Sequence, residues 1–336
     1  MILLDSIYVN NGGGKILLDY LVLEFELRKM DVFYLFDKRC YGSYNHLSSS
    51  RTLFVDGKVR KRKEFYKKNG LKFEKVLCFG NLPPLENLDC QVYTYFHQPM
   101  YLNVPKEFSI KERLTFKFKQ LFLSFFKNNT NFWLVQNSFI KDELCKKYNL
   151  DFDKVLLMPF YPNKDLYCLP SRRENNTFIY VSNGTPHKNH LRLFGAFKEF
   201  YDIYKKGKLI VTINSEYSLL LEEIEKLRND GYPIVNIGFV NRKELISNYH
   251  KAEYLIFPSL EESFGLGIVE AIECGCKVIG ADLPYMYEVC NPSINFNPMS
   301  IEDIKFAFVK AINKEEKETT QNIFNEIDKL ISILKE

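Results

Sequence analysis

Short apolar runs alternate with helix-length amphipathic stretches along this chain, and that alternation constrains its fold more than any other feature. The strand-like runs are ILLDSIYV, DVFYLF, KVLCF, CQVYTYF, NFWLVQN and KVLLMPF, followed by TFIYVSN, KLIVTIN, IVNIGFV, EYLIFPS and CKVIGAD. Helices fit between them, for example over 191–204, 219–230 and 242–251. Strand–helix alternation repeated in this way predicts an α/β chain with two Rossmann-like, parallel-sheet domains.

The length of 336 residues also favours two domains over one core. The stretch from Tyr161 to Asn176 is rich in proline and polar residues, so we take it as the linker. We predict domains at 1–163 and 164–313, and a charged helix at 314–336 for which packing on the first domain is one arrangement. Ligands of such sheets bind at the strand-to-helix loops, and two facing domains would form a cleft.

Composition excludes several classes of protein. No window reaches the roughly 18 apolar residues of a spanning helix. The amino terminus begins with a strand-like run and lacks the basic and apolar regions of a secretory signal. The eight cysteines form no C-x-x-C pair. We therefore expect neither a disulfide framework nor a zinc site, but buried thiols of a reduced, cytoplasmic protein.

The segment FPSLEESFGLGIVEAIECGCKVIGAD carries the strongest functional signal. It runs from a strand through a loop to a helix that starts near Phe264, and helix starts bind phosphate. Gly265 and Gly267 are expected to let a ligand approach the backbone. Glu262 stands in the loop and Glu270 on the helix, where carboxylates can accept hydrogen bonds from sugar hydroxyls.

This segment resembles the E-x7-E signature of retaining glycosyltransferase family 4, whose members adopt the two-domain GT-B fold. The resemblance implies that the donor phosphates meet the backbone of Phe264, Gly265 and Leu266. It also implies that Glu270 holds the ribose and that Glu262 contacts the transferred sugar. Two surface glutamates beside a turn are the structural alternative.

A second segment, TFIYVSNGTPHKNHLRLFGAF, resembles the G-R-L-x-x-x-K loop of the same family. Lys188 falls on its lysine, which implies pairing with the donor diphosphate, although it could also be a plain surface lysine. Asn183 stands where the family has arginine, so one phosphate-binding cation is missing. His187 and His190 are expected to pack the loop and not to bind a metal.

Two further stretches match the family. IVNIGFVNRKELISNYHKAEYLIFPSL resembles its nucleobase-reading region, which implies that Gly238, Phe239 and Val240 lie against the base; a buried strand and turn is compatible with the same residues. In the first half, VYTYFHQPMY places His97 at a strand end, where the family often has a histidine near the reacting sugar. A structural histidine is the alternative.

Glycines follow the first strand in the loop NNGGGKI, where the resemblance implies that Gly13 and Gly14 contact the donor and acceptor. The loop lacks the spacing of a Walker motif. The D-x-D at Asp151–Asp153 resembles the metal signature of the other large glycosyltransferase fold. We interpret it as a turn, because it lies between a helix and a strand and does not end a strand.

The first half is basic, with eight more Lys and Arg than Asp and Glu in residues 1–165. Part of this charge lies in Val59–Lys68 and in a predicted helix over Glu107–Lys127. We expect one apolar stripe of that helix to pack on the domain: Ile110, Leu114, Phe118, Leu121, Phe122 and Phe125. Phe116, Leu123 and Phe126 would then lie outside it, beside lysines. That arrangement predicts peripheral association with an anionic membrane, with a solvated face over a thick core as the alternative.

Together with these features, the resemblance implies a retaining hexosyltransferase that uses a UDP- or GDP-sugar as a substrate and needs neither a cofactor nor a metal. The expected acceptor is a glycan or lipid-linked glycan of bacterial surface polysaccharide, at the inner face of the cytoplasmic membrane, and nucleic acid is not an expected partner. The alternatives are a nucleotide-sugar 2-epimerase and a catalytically silent, sugar-nucleotide-binding membrane scaffold.

Overall fold

The structure is a computed structural model that describes residues 1–105, 108–162 and 172–336. These residues form two compact units. The first unit comprises 1–104, 109–162 and 324–336, and the second comprises 105, 108 and 172–323. Residues 163–171 of the predicted linker, with Cys168, lie outside the described residues.

The first unit contains a parallel sheet of seven strands in the order β3-β2-β1-β4-β5-β6-β7. The strands are β1 (Ile2–Ser6), β2 (Val32–Asp37), β3 (Thr52–Val55), β4 (Lys75–Cys78), β5 (Gln91–Phe96), β6 (Phe132–Val135) and β7 (Val155–Leu157). The helices between them are α1 (Gly12–Leu27), α2 (Val59–Asn69), α3 (Ile110–Phe126) and α4 (Ser138–Tyr148). The inner strands are almost wholly buried, as expected for a parallel sheet covered on both faces, whereas the edge strands β3 and β7 are partly exposed.

The second unit contains a parallel sheet of six strands in the order β10-β9-β8-β11-β12-β14. Its strands are β8 (Glu174–Tyr180), β9 (Lys208–Val211), β10 (Ile234–Asn236), β11 (Ala252–Phe257), β12 (Lys277–Ala281) and β14 (Ile294–Phe296). Its helices are α5 (His190–Tyr204), α6 (Ser218–Asn229), α7 (Arg242–Lys251), α8 (Leu266–Glu273), α9 (Pro284–Val289) and α10 (Ile301–Ile312). A separate antiparallel pair joins β13 (Cys290–Asn291) to β15 (Thr320–Gln321).

Both sheets have the strand order of a Rossmann fold, which confirms the predicted pair of α/β units. The order reverses between β1 and β4 in the first sheet and between β8 and β11 in the second. Loops that leave the carboxyl ends of such neighbouring strands separate and open a crevice for ligands.

Some short strands were not predicted from the sequence, or were predicted with other bounds. Strand β3 has four residues and β14 has three, too few to show a clear apolar run. Strand β10 ends at Asn236, although the apolar run continues to Val240. It ends there because Gly238 adopts a left-handed backbone, with φ of +63°, which an extended strand cannot accommodate.

The prediction of a single helix over 314–336 is wrong. Helix α10 ends before Lys314, which takes a left-handed φ of +59°, and the chain then forms β15. Only the last part is helical, as α11 (Ile327–Lys335) in the first unit. Its start is held there because Asn325 Nδ2 donates to the Tyr161 carbonyl at 2.8 Å and the Glu326 amide donates to the Pro159 carbonyl at 2.7 Å.

The predicted orientation of α3 is also wrong. The helix begins at Ile110, where a capping box between Ser109 and Glu112 starts it; Glu107 lies outside the described residues. Its fully buried side chain is Leu123, which packs with Trp133 and the residues around it. Five of the six residues in the stripe expected to face the core are therefore exposed, and Phe122 is partly buried.

The described cysteines and the D-x-D agree with their predicted roles. All seven described cysteines are free, and five of them are buried. Asp151 accepts a hydrogen bond from the Asp153 amide at 3.1 Å, in a short turn that leads into β7, so the D-x-D is a turn. Among the described residues, no helix is long and apolar enough to cross a membrane.

Candidate functional site

Lys188 and Glu262 form an ion pair at the switch point of the second sheet. Lys188 lies in the loop after β8, and Glu262 lies in the loop after the neighbouring strand β11. The distance from Lys188 Nζ to Glu262 Oε1 is 2.5 Å, and each side chain is only 14% exposed. The fold thus brings together two of the predicted site residues.

Hydrogen bonds between the two loops hold Lys188 and Glu262 in position. The Leu260 amide donates to the His187 carbonyl at 2.8 Å, and Asn189 Nδ2 donates to the Pro258 carbonyl at 3.1 Å. Asn189 has a φ of +63°, which turns the chain sharply into α5. Because these hydrogen bonds join the two loops, the amine and the carboxylate lie where a ligand can meet both.

Helix α8 begins directly beyond Glu262. Gly265 caps it with a left-handed φ of +69°, and Leu266 is its first residue, while the Phe264 ring is buried. The first amides of a helix have no acceptor inside it and carry a partial positive charge, so this turn suits an anion. Gly267 also packs closely, because a Cβ there would lie 3.2 Å from the Tyr249 hydroxyl. Glycine at 267 serves close packing inside the unit.

Glu270 is buried on α8 and pairs with Arg242, the first residue of α7. Arg242 Nη1 lies 2.6 Å from Glu270 Oε1. Burial raises the pKa of the Glu270 carboxyl, and the charge of Arg242 opposes that rise. Arg242 was not among the site residues predicted from the sequence. A signal for it existed, because a cation at the start of a helix opposes the helix dipole and calls for a nearby anion.

Asn183, at the position of the family's arginine, is exposed and supplies no charge. Its Oδ1 accepts a hydrogen bond from Thr185 Oγ1 at 2.7 Å, which tightens the loop. His187 and His190 are buried, and burial together with the Lys188 charge lowers the pKa of each to about 3. Both are therefore neutral and pack the loop, as expected.

The loop predicted to read the base follows β10. The Gly238 amide donates to Asn236 Oδ1 at 3.1 Å, which holds the left-handed turn. Phe239 projects outward at 86% exposure, and Val240 is partly buried. The neighbouring Asn241 caps α7, whose first residue is Arg242, so this loop leads directly to the partner of Glu270.

In the first unit, His97 and Gly14 lie in contact. His97 follows β5, and a Cβ on Gly14, in the first turn of α1, would lie 2.8 Å from its Cε1. Among the described residues, no atom outside the neighbouring residues and backbone of its own helix lies within 4 Å of the corresponding position on Gly13. Burial lowers the pKa of His97 to about 4, so the ring is neutral. Its Nε2 is buried and has no hydrogen-bond partner among the described residues.

The second unit thus combines an amine, two carboxylates and a helix start, a set that can hold a phosphorylated polyol. Within residues 1–105, 108–162 and 172–336, no three His, Cys, Asp or Glu side chains gather as metal ligands would.

Comparison with known proteins relates the segment that carries these residues to glycosyltransferases. Residues 168–324 match the family model described as "Glycosyl transferases group 1". Over 160 residues the chain is 29% identical to the O-antigen chain mannosyltransferase RfbU of Salmonella typhimurium, a match that covers 47% of this chain and 44% of that protein. The chain therefore spans less than half the length of this curated relative.

Solved structures match nearly the whole chain. Sucrose-phosphate synthase from Thermosynechococcus elongatus superposes with a TM-score of 0.72 at 16% identity, covering 93% of this chain and 89% of that one. The fold is GT-B. Anabaena Alr3699/HepE, solved in complex with UDP and glucose, gives 0.67 at 11% identity, covering 94% and 90%. The family model lies within one half of this GT-B chain, and that half carries the Lys188–Glu262 pair.

Proposed function

We propose that the chain is a retaining glycosyltransferase of family 4 that transfers a hexose from a nucleoside-diphosphate sugar to a hydroxyl group. The ion pair between Lys188 and Glu262 carries this proposal, because it puts a phosphate-binding cation beside a sugar-binding carboxylate at the switch point of a Rossmann-like sheet. The family match over residues 168–324 supports the same activity.

The pair also indicates how the donor would bind. An arriving diphosphate would compete with Glu262 for the Lys188 ammonium and would meet the amides of Gly265 and Leu266 at the start of α8. Glu262, released from Lys188, would then accept hydrogen bonds from the hydroxyls of the sugar. In the reaction the bond from the anomeric carbon to the phosphate oxygen breaks, and a bond to the acceptor oxygen forms. The acceptor hydroxyl gives its proton to the departing diphosphate, whose charge Lys188 and the helix start stabilise.

Glu270 is proposed to hold the ribose, since its buried carboxylate is oriented by Arg242. Gly238 and Val240 would lie along the base, and Asn183 along the phosphates without adding charge. The donor is proposed to be a UDP- or GDP-sugar; the similar Anabaena protein was solved with UDP. The nucleotide sugar is a substrate, and we propose no further cofactor or metal.

The first unit is proposed to serve the reacting groups. The free Nε2 of His97 would hydrogen-bond a hydroxyl of the sugar, with Gly13 and Gly14 next to it. The acceptor is proposed to be a glycan or lipid-linked glycan of bacterial surface polysaccharide. The likeness to an O-antigen chain mannosyltransferase supports this class. We also propose that the protein acts at the inner face of the cytoplasmic membrane.

Calorimetry with UDP, GDP and their sugars tests the proposal directly, followed by turnover assays on two variants. Glu270→Ala should lose donor binding, and Glu262→Ala should bind the nucleotide but lose turnover. Glu225→Ala, an exposed carboxylate on α6, is the matched control and should behave like wild type. Wild-type turnover in both site variants would overturn the proposal. Release of UDP or GDP only when acceptor is present separates transfer from epimerisation and from silent binding.

A further inference from the structure

Helix α3 of the first unit carries an unusual row of exposed, large apolar side chains. They recur every three or four residues along the whole helix and are between 51% and 80% exposed: Ile110, Leu114, Phe118, Leu121 and Phe125. At about 100° per residue, these five positions fall within one stripe roughly 80° wide. The stripe is continuous, since the helix has no polar side chain inside it.

The opposite side of the helix anchors it to the unit. Leu123 lies roughly 180° from the centre of the stripe and is fully buried against the core around Trp133. Gln120 Nε2 donates a hydrogen bond to the Met100 carbonyl at 3.0 Å. These contacts hold α3 with its apolar stripe pointing away from the fold.

Cations border the stripe. Lys111 lies on one side of it and Lys117 on the other, with Arg113 a little further round, and all three are exposed. The one acidic residue of the helix, Glu112, is engaged in the capping box with Ser109. An apolar stripe with basic borders and no free acid is the pattern of a helix that lies in the surface of an anionic bilayer.

Helix α2 adds charge on the same face of the sheet. Val92 packs in the cluster that contains Phe65 of α2, and Phe96 packs in the cluster that contains Leu123 of α3. Val92 and Phe96 lie four residues apart in β5, so they point to the same face. The exposed cations of α2 are Arg60, Lys61, Lys63, Lys67 and Lys68. Arg62 is not among them, because it is buried in an ion pair with Asp5.

We propose that the stripe of α3 inserts into the surface of an anionic lipid bilayer, with the cations of α2 and α3 meeting the lipid headgroups. The charges identify the occupant as lipid, because a second copy of this chain would place the same cations against each other. The proposal goes beyond glycosyl transfer: the surface belongs to the first unit and includes no residue of the donor loops.

Flotation of the full chain with lipid vesicles tests the proposal. Wild type should bind vesicles of phosphatidylcholine with phosphatidylglycerol at least about tenfold more tightly than vesicles of phosphatidylcholine alone. Phe118→Ser with Phe125→Ser should weaken binding to the anionic vesicles at least about tenfold. Lys111→Gln with Lys117→Gln should weaken it by roughly the same factor and make the remainder less sensitive to salt.

The matched control is Leu219→Ser with Phe306→Ser, which removes exposed apolar side chains from α6 and α10 and should bind like wild type. All variants should keep the melting temperature and the nucleotide affinity of wild type. A failure of the membrane proposal can therefore be told apart from a failure of the proposed activity. The proposal is overturned if wild type does not bind anionic vesicles, or if the stripe variant binds them equally well. Light scattering that shows a dimer dissolved by the stripe variant, without lipid binding, would assign the stripe to a second copy instead.

Discussion

Lys188 Nζ lies 2.5 Å from Glu262 Oε1, across 74 residues of chain, and the two side chains are almost entirely shielded from water. Removing one member of such a pair leaves the other charge without its counterion in a poorly solvated place. We expect Lys188→Met to lower the free energy of unfolding by about 3 kcal/mol. Urea denaturation measures this loss.

The double variant Lys188→Met with Glu262→Gln is the control for that experiment. It carries neither charge, so it should regain most of the stability while turnover stays absent. Recovery of stability without activity would separate the structural role of the pair from its role in the reaction. If Lys188→Met alone were as stable as wild type, the result would contradict a stabilising ion pair between Lys188 and Glu262.

Arg242 should set the pH at which nucleotide binding is lost. Burial raises the pKa of Glu270 and Arg242 counteracts it, so Arg242→Met should raise that pKa further. Since ribose binding is proposed to need the carboxylate, affinity falls as pH drops through the pKa, and the fall should begin at higher pH in Arg242→Met. Calorimetric titrations of the preferred nucleotide from pH 8 to pH 5 would show the shift; coincident curves for variant and wild type would exclude this role.

The protein should lose stability in mild acid through His187 and His190. Both have a pKa of about 3 in the folded chain, whereas an unfolded histidine takes up a proton below about pH 6.5. Their contribution is complete above pH 6.5 and declines as pH falls, by about 2 kcal/mol for the pair between pH 6 and pH 5. Urea denaturation at several pH values should show a flatter profile for His187→Gln with His190→Gln. A steeper or unchanged profile would show that other groups dominate.

Two adjacent glycines should respond differently to alanine. A Cβ on Gly14 would lie 2.8 Å from His97 Cε1, whereas a Cβ on Gly13 would meet no described residue beyond its own stretch of helix within 4 Å. Gly14→Ala should therefore displace the ring and lower both the melting temperature and kcat. Gly13→Ala should melt at or above the wild-type temperature, because alanine favours the helix. Equal melting temperatures for the two variants would mean that the His97 ring moves aside without cost.

Much of this molecule was predictable because its signals are local. The period of the apolar runs predicted the two parallel sheets, and the helix Arg242–Lys251 was predicted with its observed bounds. Short edge strands such as β14 were missed since three residues carry too little pattern. The candidate site residues were identified because their loops resemble motifs of a known glycosyltransferase family, and a chain displays such motifs without being folded.

The sequence by itself determined the alternation of elements, the position of Glu262 and Glu270 around a helix start, and the apolar stripe of α3. The tertiary structure decided which residues those features contact. The strand order makes β8 and β11 neighbours and so brings Lys188 next to Glu262. The packing of the same unit places Arg242 in contact with Glu270. The side of α3 that faces the core was likewise undecided, because both sides are apolar and only the pocket around Leu123 selects between them. Local periodicity encodes each element, whereas contacts between distant segments depend on how all of them pack.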